Sequence, residues 1–196
     1  MHLEIFSDTV CPWCYIGKRR LERALRERPM PELAIRWRAF QLNPGMPAGG
    51  MDRRQYMAAK FGSAERAARL FDTVTRVGAE EGIRFSFDRI TRTPNTMKSH
   101  LRLAVAAQHG RQSQVLDRLF AAYFTEGRDI GQSSVLVDIG EESLLPGIEV
   151  EAALSEDSPI GTTLAEDFLA RRQGINGVPY FGFNGRFGLS GAQEPE

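Results

Sequence analysis

The stretch Ser7-Asp8-Thr9-Val10-Cys11-Pro12-Trp13-Cys14-Tyr15-Ile16-Gly17 joins a strand-like segment to a helix-like one and holds both cysteines of the 196-residue chain. Upstream, His2 to Ser7 carries apolar Leu3, Ile5 and Phe6, as a buried strand does. Downstream, Cys14, Gly17, Leu21, Ala24 and Leu25 fall on one helical face up to about Arg28, and Lys18, Arg19, Arg20, Arg23 and Arg26 take much of the remaining surface. Pro29 and Pro31 end that helix. Leu33 to Leu42 then alternates with period two and reads as a second strand, so the chain opens as a βαβ unit.

Two cysteines three positions apart close almost no loop, so a structural disulfide between them gains little. A dithiol redox centre, by contrast, needs two sulfurs close enough to form a small ring, one of them able to ionise. Cys-x-x-Cys at a helix start meets both needs. Cys11 falls beside the unpaired N–H groups and the positive dipole end, which favour a negative sulfur. Cys14 falls one turn deeper, placed to resolve a mixed disulfide. Pro12 suits the first helical position, where no N–H is required. Trp13 is expected as an exposed flat surface beside the reactive sulfur. These positions assign Cys11 as the attacking thiolate and Cys14 as the buried resolving thiol. Potentials of such centres run from about −270 to −120 mV, so the motif leaves open whether it oxidises, isomerises or reduces. A zinc site would need four ligands, and His2, His100 and His109, the only histidines, show no paired ligand spacing, so no metal is expected.

The remainder alternates breaker-rich loops with helical patterns. Asn43-Pro44-Gly45 and residues 47–50 form a loop, and helix candidates follow at Arg53–Phe61, Ala64–Glu81, Thr96–His109 and Gln112–Thr125. Shorter pieces lie near Ser133–Leu144 and Glu149–Leu154. A last helix fits Thr162–Gln173, with Leu164, Phe168 and Leu169 as its apolar side and Gly174 to stop it. Val178-Pro179 then precedes a strand Tyr180–Phe183, an Asn184-Gly185 turn and a strand Arg186–Leu189; Asn-Gly between apolar runs is a strong hairpin signal. Pro179 is expected to be cis, leaving the Val178 backbone to pair with an extended peptide or glutathione. Acidic and basic residues balance at 25 each, which speaks against nucleic-acid or polybasic membrane partners. No stretch approaches the roughly 20 apolar residues of a membrane span, and Met1 to Phe6 shows no secretory leader, so a cytoplasmic setting is expected.

Ser7-Asp8 leading into Cys-Pro-Trp-Cys-Tyr-Ile-Gly, followed by Trp37 to Pro44, resembles the DsbA-like thioredoxin-fold oxidoreductases, in particular the FrnE-type and 2-hydroxychromene-2-carboxylate isomerase subgroup. The resemblance continues through Asn95-Thr96, Ala122 to Ile130, Gly177 to Phe181 and Ser190-Gly191-Ala192-Gln193, essentially the whole chain. It implies an α/β protein of thioredoxin-like fold with a large α-helical insertion: a core of residues 1–44 and 158–196, discontinuous, and an inserted helical domain of residues 45–157. It also implies Phe40, Leu42 and Asn95 near bound substrate, although an Asx turn after Pro94 accounts for Asn95 as well. His100 reaches toward the same groove or is simply buried, and Asp8 either assists proton movement or caps its turn. Implied partners are protein or small-molecule thiols and disulfides, with no bound cofactor and glutathione as redox partner or cosubstrate. Isomerases of the subgroup, like the kappa-type glutathione transferases, carry serine at the first motif position, so cysteine at both positions favours redox work over the glutathione-dependent alternative. Relatives continue past Ser190-Gly191-Ala192-Gln193 into a helix that covers the sheet. For a chain reaching Glu196 the alternatives are a shortened sequence or a face covered otherwise, as in a homodimer.

Overall fold

The computed structural model describes residues 1–145 and 161–195. The element sought at Glu149–Leu154 and the boundary at 157/158 lie outside the described residues. Among the described residues, six strands, β1 (His2–Ser7), β2 (Ala34–Ala39), β3 (Met51–Asp52), β4 (Arg92–Thr93), β5 (Tyr180–Phe183) and β6 (Phe187–Ser190), accompany seven α-helices. The helices are α1 (Pro12–Glu27), α2 (Arg53–Phe61), α3 (Ala64–Glu80), α4 (Met97–Gln108), α5 (Gln112–Phe124), α6 (Ser133–Glu142) and α7 (Gly161–Arg172). The main sheet has the order β2-β1-β5-β6, with β1 parallel to β2 and the other neighbours antiparallel. Strands from the two ends of the chain therefore meet side by side, and β3 and β4 form a separate two-stranded ladder that no alternation in their short segments announces. The fold is α/β and thioredoxin-like, as expected.

Pairing registers put Leu3, Ile5, Trp37 and Phe181 on one sheet face, where they share a core with Cys14, Tyr15 and Ile16 of α1. Phe6 and Tyr180 point to the other face, against Phe40, Ala170 and Ile175. Tyr15 carries the first core outward into an aromatic cluster: it stacks on Phe120 at 5.0 Å and meets Phe85 edge-on at 6.1 Å. The Asn184-Gly185 turn forms as the sequence requires, with φ of 49° and 65°.

Two expectations about faces are corrected. On α1, Lys18 and Arg20 are not surface residues but buried ones. Lys18 pairs with Glu22 and, at 2.6 Å, with Asp117 of α5; Arg20 pairs with Glu81 just after α3 at 3.0 Å and donates to the Ala192 carbonyl at 2.6 Å. Long stems bury while charged heads find partners, and α1 is thereby tied to α5, α3 and the C-terminal segment. On α7, Leu164, Phe168 and Leu169 are exposed, whereas Thr163, Asp167 and Ala170 face inward.

The reason lies at the edge of β2. Its outward N–H groups belong to every second residue, and side chains occupy three in succession. The Gln112 amide accepts from Trp37 N–H and donates to Trp37 C=O, both at 2.9 Å; Glu166 accepts from Ala39 N–H at 2.9 Å; Asp167 accepts from Gln41 N–H at 2.8 Å. Arg38, held by Glu4 and by Glu166 at 2.7 Å, and Arg171, donating to Gln41 C=O at 2.6 Å, brace the same seam. Helix α7 thus docks by polar anchors, so its apolar side need not be the inner one. β2 ends at Ala39 rather than Leu42 because its partner β1 ends at Ser7, the residue opposite Ala39.

Candidate active site

Cys11 is the N-cap of α1 and Pro12 its first residue. The Cys11 side chain accepts no hydrogen bond from the N–H groups of the helix it caps, so the sulfur stays at the positive helix end without being spent as a capping acceptor. A turn fixes the loop before it: Cys11 N–H donates to Asp8 C=O at 3.1 Å and Cys14 N–H to Cys11 C=O at 3.0 Å. Both cysteines are unbridged; Cys11 keeps 4% of its surface and Cys14 none. Trp13, expected on the open surface, is half-buried against the main core.

The Val178–Pro179 bond is cis, as expected. The Cys11 thiol donates to the Val178 carbonyl at 3.5 Å, which brings the start of β5 onto the head of α1. Gly17, one turn beyond Cys14, makes that approach feasible: a Cβ there would stand 3.1 Å from the Pro179 ring and 3.4 Å from Phe181. The remaining expected residues gather less tightly. Leu42 is half-buried and bridges both cores, and Asp8 Oδ2 accepts from its N–H at 2.7 Å. Asp8 therefore caps the end of another strand rather than its own turn. Asn95 is half-buried; it donates to Met46 C=O at 2.7 Å and accepts from Met97 N–H at 2.9 Å, the Asx-turn arrangement. Phe40 retains only 1% of its surface, beneath the Arg171 guanidinium at 4.4 Å, so it can shape a substrate border but not form one. His100 is buried beside Asp8, its Nε2 3.4 Å from Asp8 Oδ1. Neither partner is legible from the sequence, since 92 positions separate them.

Burial pushes the Cys14 thiol well above its ordinary 9.0, and the neighbouring Cys11 sulfur adds to this; the Ser7 hydroxyl and the Asp8 backbone oppose it. The sign for stability follows. The folded reduced chain retains a proton that the unfolded chain releases above pH 9.0, so stability is intact below that value and declines as pH rises beyond it. The expected slope is up to about 1.4 kcal/mol per pH unit. Urea unfolding of reduced and oxidised protein between about pH 7 and pH 10 checks this. The reduced form should lose stability relative to the oxidised form, and parallel pH curves would contradict it.

Among the described residues, no group of three or more His, Cys, Asp and Glu side chains is placed to hold a metal ion, and no helix is long and apolar enough to cross a membrane. A cleft of about 1320 Å³ does not open on the sulfurs; it follows the β2 edge and reaches inward to Ser7 and His100.

A family model described as DSBA-like thioredoxin domain matches residues 2–196. Among solved structures, the chain is similar to a probable DsbA oxidoreductase from Streptomyces coelicolor, at 30% identity and a TM-score of 0.88, covering 100% of this chain and 85% of that one. The cytosolic disulfide reductase DsbM from Pseudomonas aeruginosa, solved with GSH, is similar at 24% identity and a TM-score of 0.68, over 97% of this chain and 90% of that one. A 2-hydroxychromene-2-carboxylate isomerase is similar at 17% identity and a TM-score of 0.75, over 98% of this chain and 89% of that one. The last two are likenesses of fold.

Proposed function

The chain belongs to the DSBA-like thioredoxin domain family, and on that footing we propose that Cys11 and Cys14 exchange electrons with the disulfides or thiols of proteins and small molecules. It is a thiol–disulfide oxidoreductase. The observation that supports this assignment of residues is the Cys11 sulfur at the head of α1, 3.5 Å from the Val178 carbonyl of the cis-proline segment. In this reading Cys11 attacks, a mixed disulfide forms, and Cys14 resolves it. Pro12 and Trp13 complete the motif, while Val178, Pro179, Leu42 and Asn95 border the substrate, with Phe40 beneath them. Residues 1–44 and 158–196 are read as the redox core, and 45–157 as the inserted helical domain that supplies the far wall.

The likeness to a cytosolic reductase solved with GSH supports glutathione as redox partner or cosubstrate, and a cytoplasmic setting. The isomerase shares the fold, yet a sulfur at both motif positions equips this chain for exchange. The test is a redox titration against reduced and oxidised glutathione, followed by thiol labelling. A reversible two-electron transition between about −270 and −120 mV is expected. Failure of Cys11 and Cys14 to join under oxidising buffer would overturn the reading.

A further inference from the structure

Helix α1 holds the cis-proline segment at two points, and only one of them is the reactive sulfur. At the head of α1 the Cys11 thiol donates to Val178 C=O at 3.5 Å. Further along the helix, Arg20 Nη1 donates to Ala192 C=O at 2.6 Å. Between these two contacts, Gly191 N–H donates to Pro179 C=O at 2.8 Å. Gly191 turns the chain off the end of β6 with φ of 82°, a conformation that suits glycine. Ala192 then packs toward α1, 3.5 Å from where a Cβ on Gly17 would stand and beside the Pro179 ring. The path through Arg20, Ala192, Gly191, Pro179, Val178 and Cys11 thus leaves α1 and returns to it.

The guanidinium that closes this path is buried and engaged on all three nitrogens. Nε meets Glu81, just after α3, at 3.0 Å; Nη2 meets Glu194 at 2.5 Å; Nη1 is given to the Ala192 carbonyl. A buried, paired cation is weak evidence of a purely stabilising purpose, since apolar residues of similar volume often serve as well. The planar fork does what an apolar side chain cannot: it fixes one backbone carbonyl while anchored to a carboxylate on another element.

We propose that Arg20 is a positioning residue that holds Pro179 and Val178 in place for the substrate through Ala192 and Gly191. The proposal rests on the dithiol reading above. Once the Cys11 sulfur ionises or joins a substrate sulfur, it has no proton left to donate. The Val178 carbonyl then loses its contact with α1 at the step in which the Val178 backbone receives an extended peptide. The Arg20 anchor does not depend on sulfur chemistry and persists through that step. It also reaches Glu81, so the end of α3 and the cis-proline segment are held by one side chain. Arg23 pairs with the same two carboxylates, at 3.2 Å from Glu81 and 3.5 Å from Glu194, and shares the charges of the anchor while lying off the path.

The test is steady-state reduction of a dye-labelled peptide disulfide by reduced glutathione, with the full chain carrying Arg20→Lys, Arg20→Met or Arg23→Met. Lysine keeps a cation beside Glu81 but not the fork, which guards against loss of the fold in the methionine variant. Expected in both Arg20 variants is a peptide KM raised about tenfold with kcat within about twofold, as when binding is lost without harm to the chemistry. Iodoacetamide should alkylate Cys11 in them at the wild-type rate, and Arg23→Met should keep the wild-type KM. An unchanged KM in the Arg20 variants overturns the proposal. So does an equal rise in Arg23→Met, which would trace the effect to charge, or a joint fall in kcat and alkylation, which would trace it to the sulfur. In the unaltered chain, hydrogen exchange at the Gly191 amide should be equally slow before and after Cys11 is alkylated. Faster exchange after alkylation would mean that the sulfur, not Arg20, holds the segment. A wild-type chain that does not turn over at all overturns the dithiol reading, and the positioning role with it.

Discussion

Replacing Cys11 with Ser is expected to reduce disulfide exchange to background, a loss on the order of 10³-fold or more, as when a nucleophile is removed. The hydroxyl that remains at the head of α1 is not appreciably ionised near neutral pH and cannot form a disulfide. Replacing Cys14 with Ala should have a different outcome. The first attack survives, resolution does not, and the chain accumulates as a Cys11 mixed disulfide. Mass spectrometry of each variant after exposure to a disulfide-containing peptide reads both results. The depth of the two sulfurs supports the division: Cys11 retains contact with the surface and with the Val178 carbonyl, while Cys14 has neither. Peptide adducts on Cys14 in the wild type, or turnover that persists in Cys14→Ala, would sink these roles. The second result would instead fit the isomerase-type chemistry in which Cys14 is dispensable.

A second large effect is expected at a residue with no reactive atom. Gly17→Val should slow exchange by about 10²-fold, since displacement of about 1 Å at a reacting centre carries that penalty. The added methyls meet the Pro179 ring, Phe181 and Ala192, all within 3.5 Å of the Cβ that valine introduces. Helix α1 cannot retreat, because Lys18 and Arg20 fasten it to α5 and to the segment after α3. The β5 start must move instead, taking Val178 away from Cys11. Overpacking of this kind also costs about 1–3 kcal/mol of stability. Alkylation of Cys11 by a small reagent should change little, and exchange with a disulfide peptide should change greatly. Equal losses in both assays would mean that the valine had disturbed the sulfur itself.

The elements read most accurately are those whose signals are local. Cys11 and Pro12 mark the head of α1, and Asn184-Gly185 marks the hairpin, because cap and turn chemistry are written into adjacent residues. Helices α2 through α6 likewise fall within a residue or two of their patterned segments. What the sequence hides is set by distant partners. Lys18 looks like the outer face of α1 until Asp117, 99 positions away, is placed beside it. Leu164, Phe168 and Leu169 look like an inner stripe until Glu166 and Asp167 claim the contact with β2. Phe40 belongs to a substrate border by position, yet Ala170 and Ile175 enclose it. Periodicity reports which side of an element is apolar, and a polar seam with good partners can override it.

An unpaired strand edge is a template onto which any extended polypeptide can add itself, and proteins that meet unfolded chains are the most exposed to that hazard. Here the rungs of β2 at Trp37, Ala39 and Gln41 are occupied in advance by Gln112, Glu166 and Asp167. An extended polypeptide finds no ladder to lengthen on that flank. The opposite flank, β6, has all four residues exposed, and it is there that the sheet can be lengthened by a neighbour.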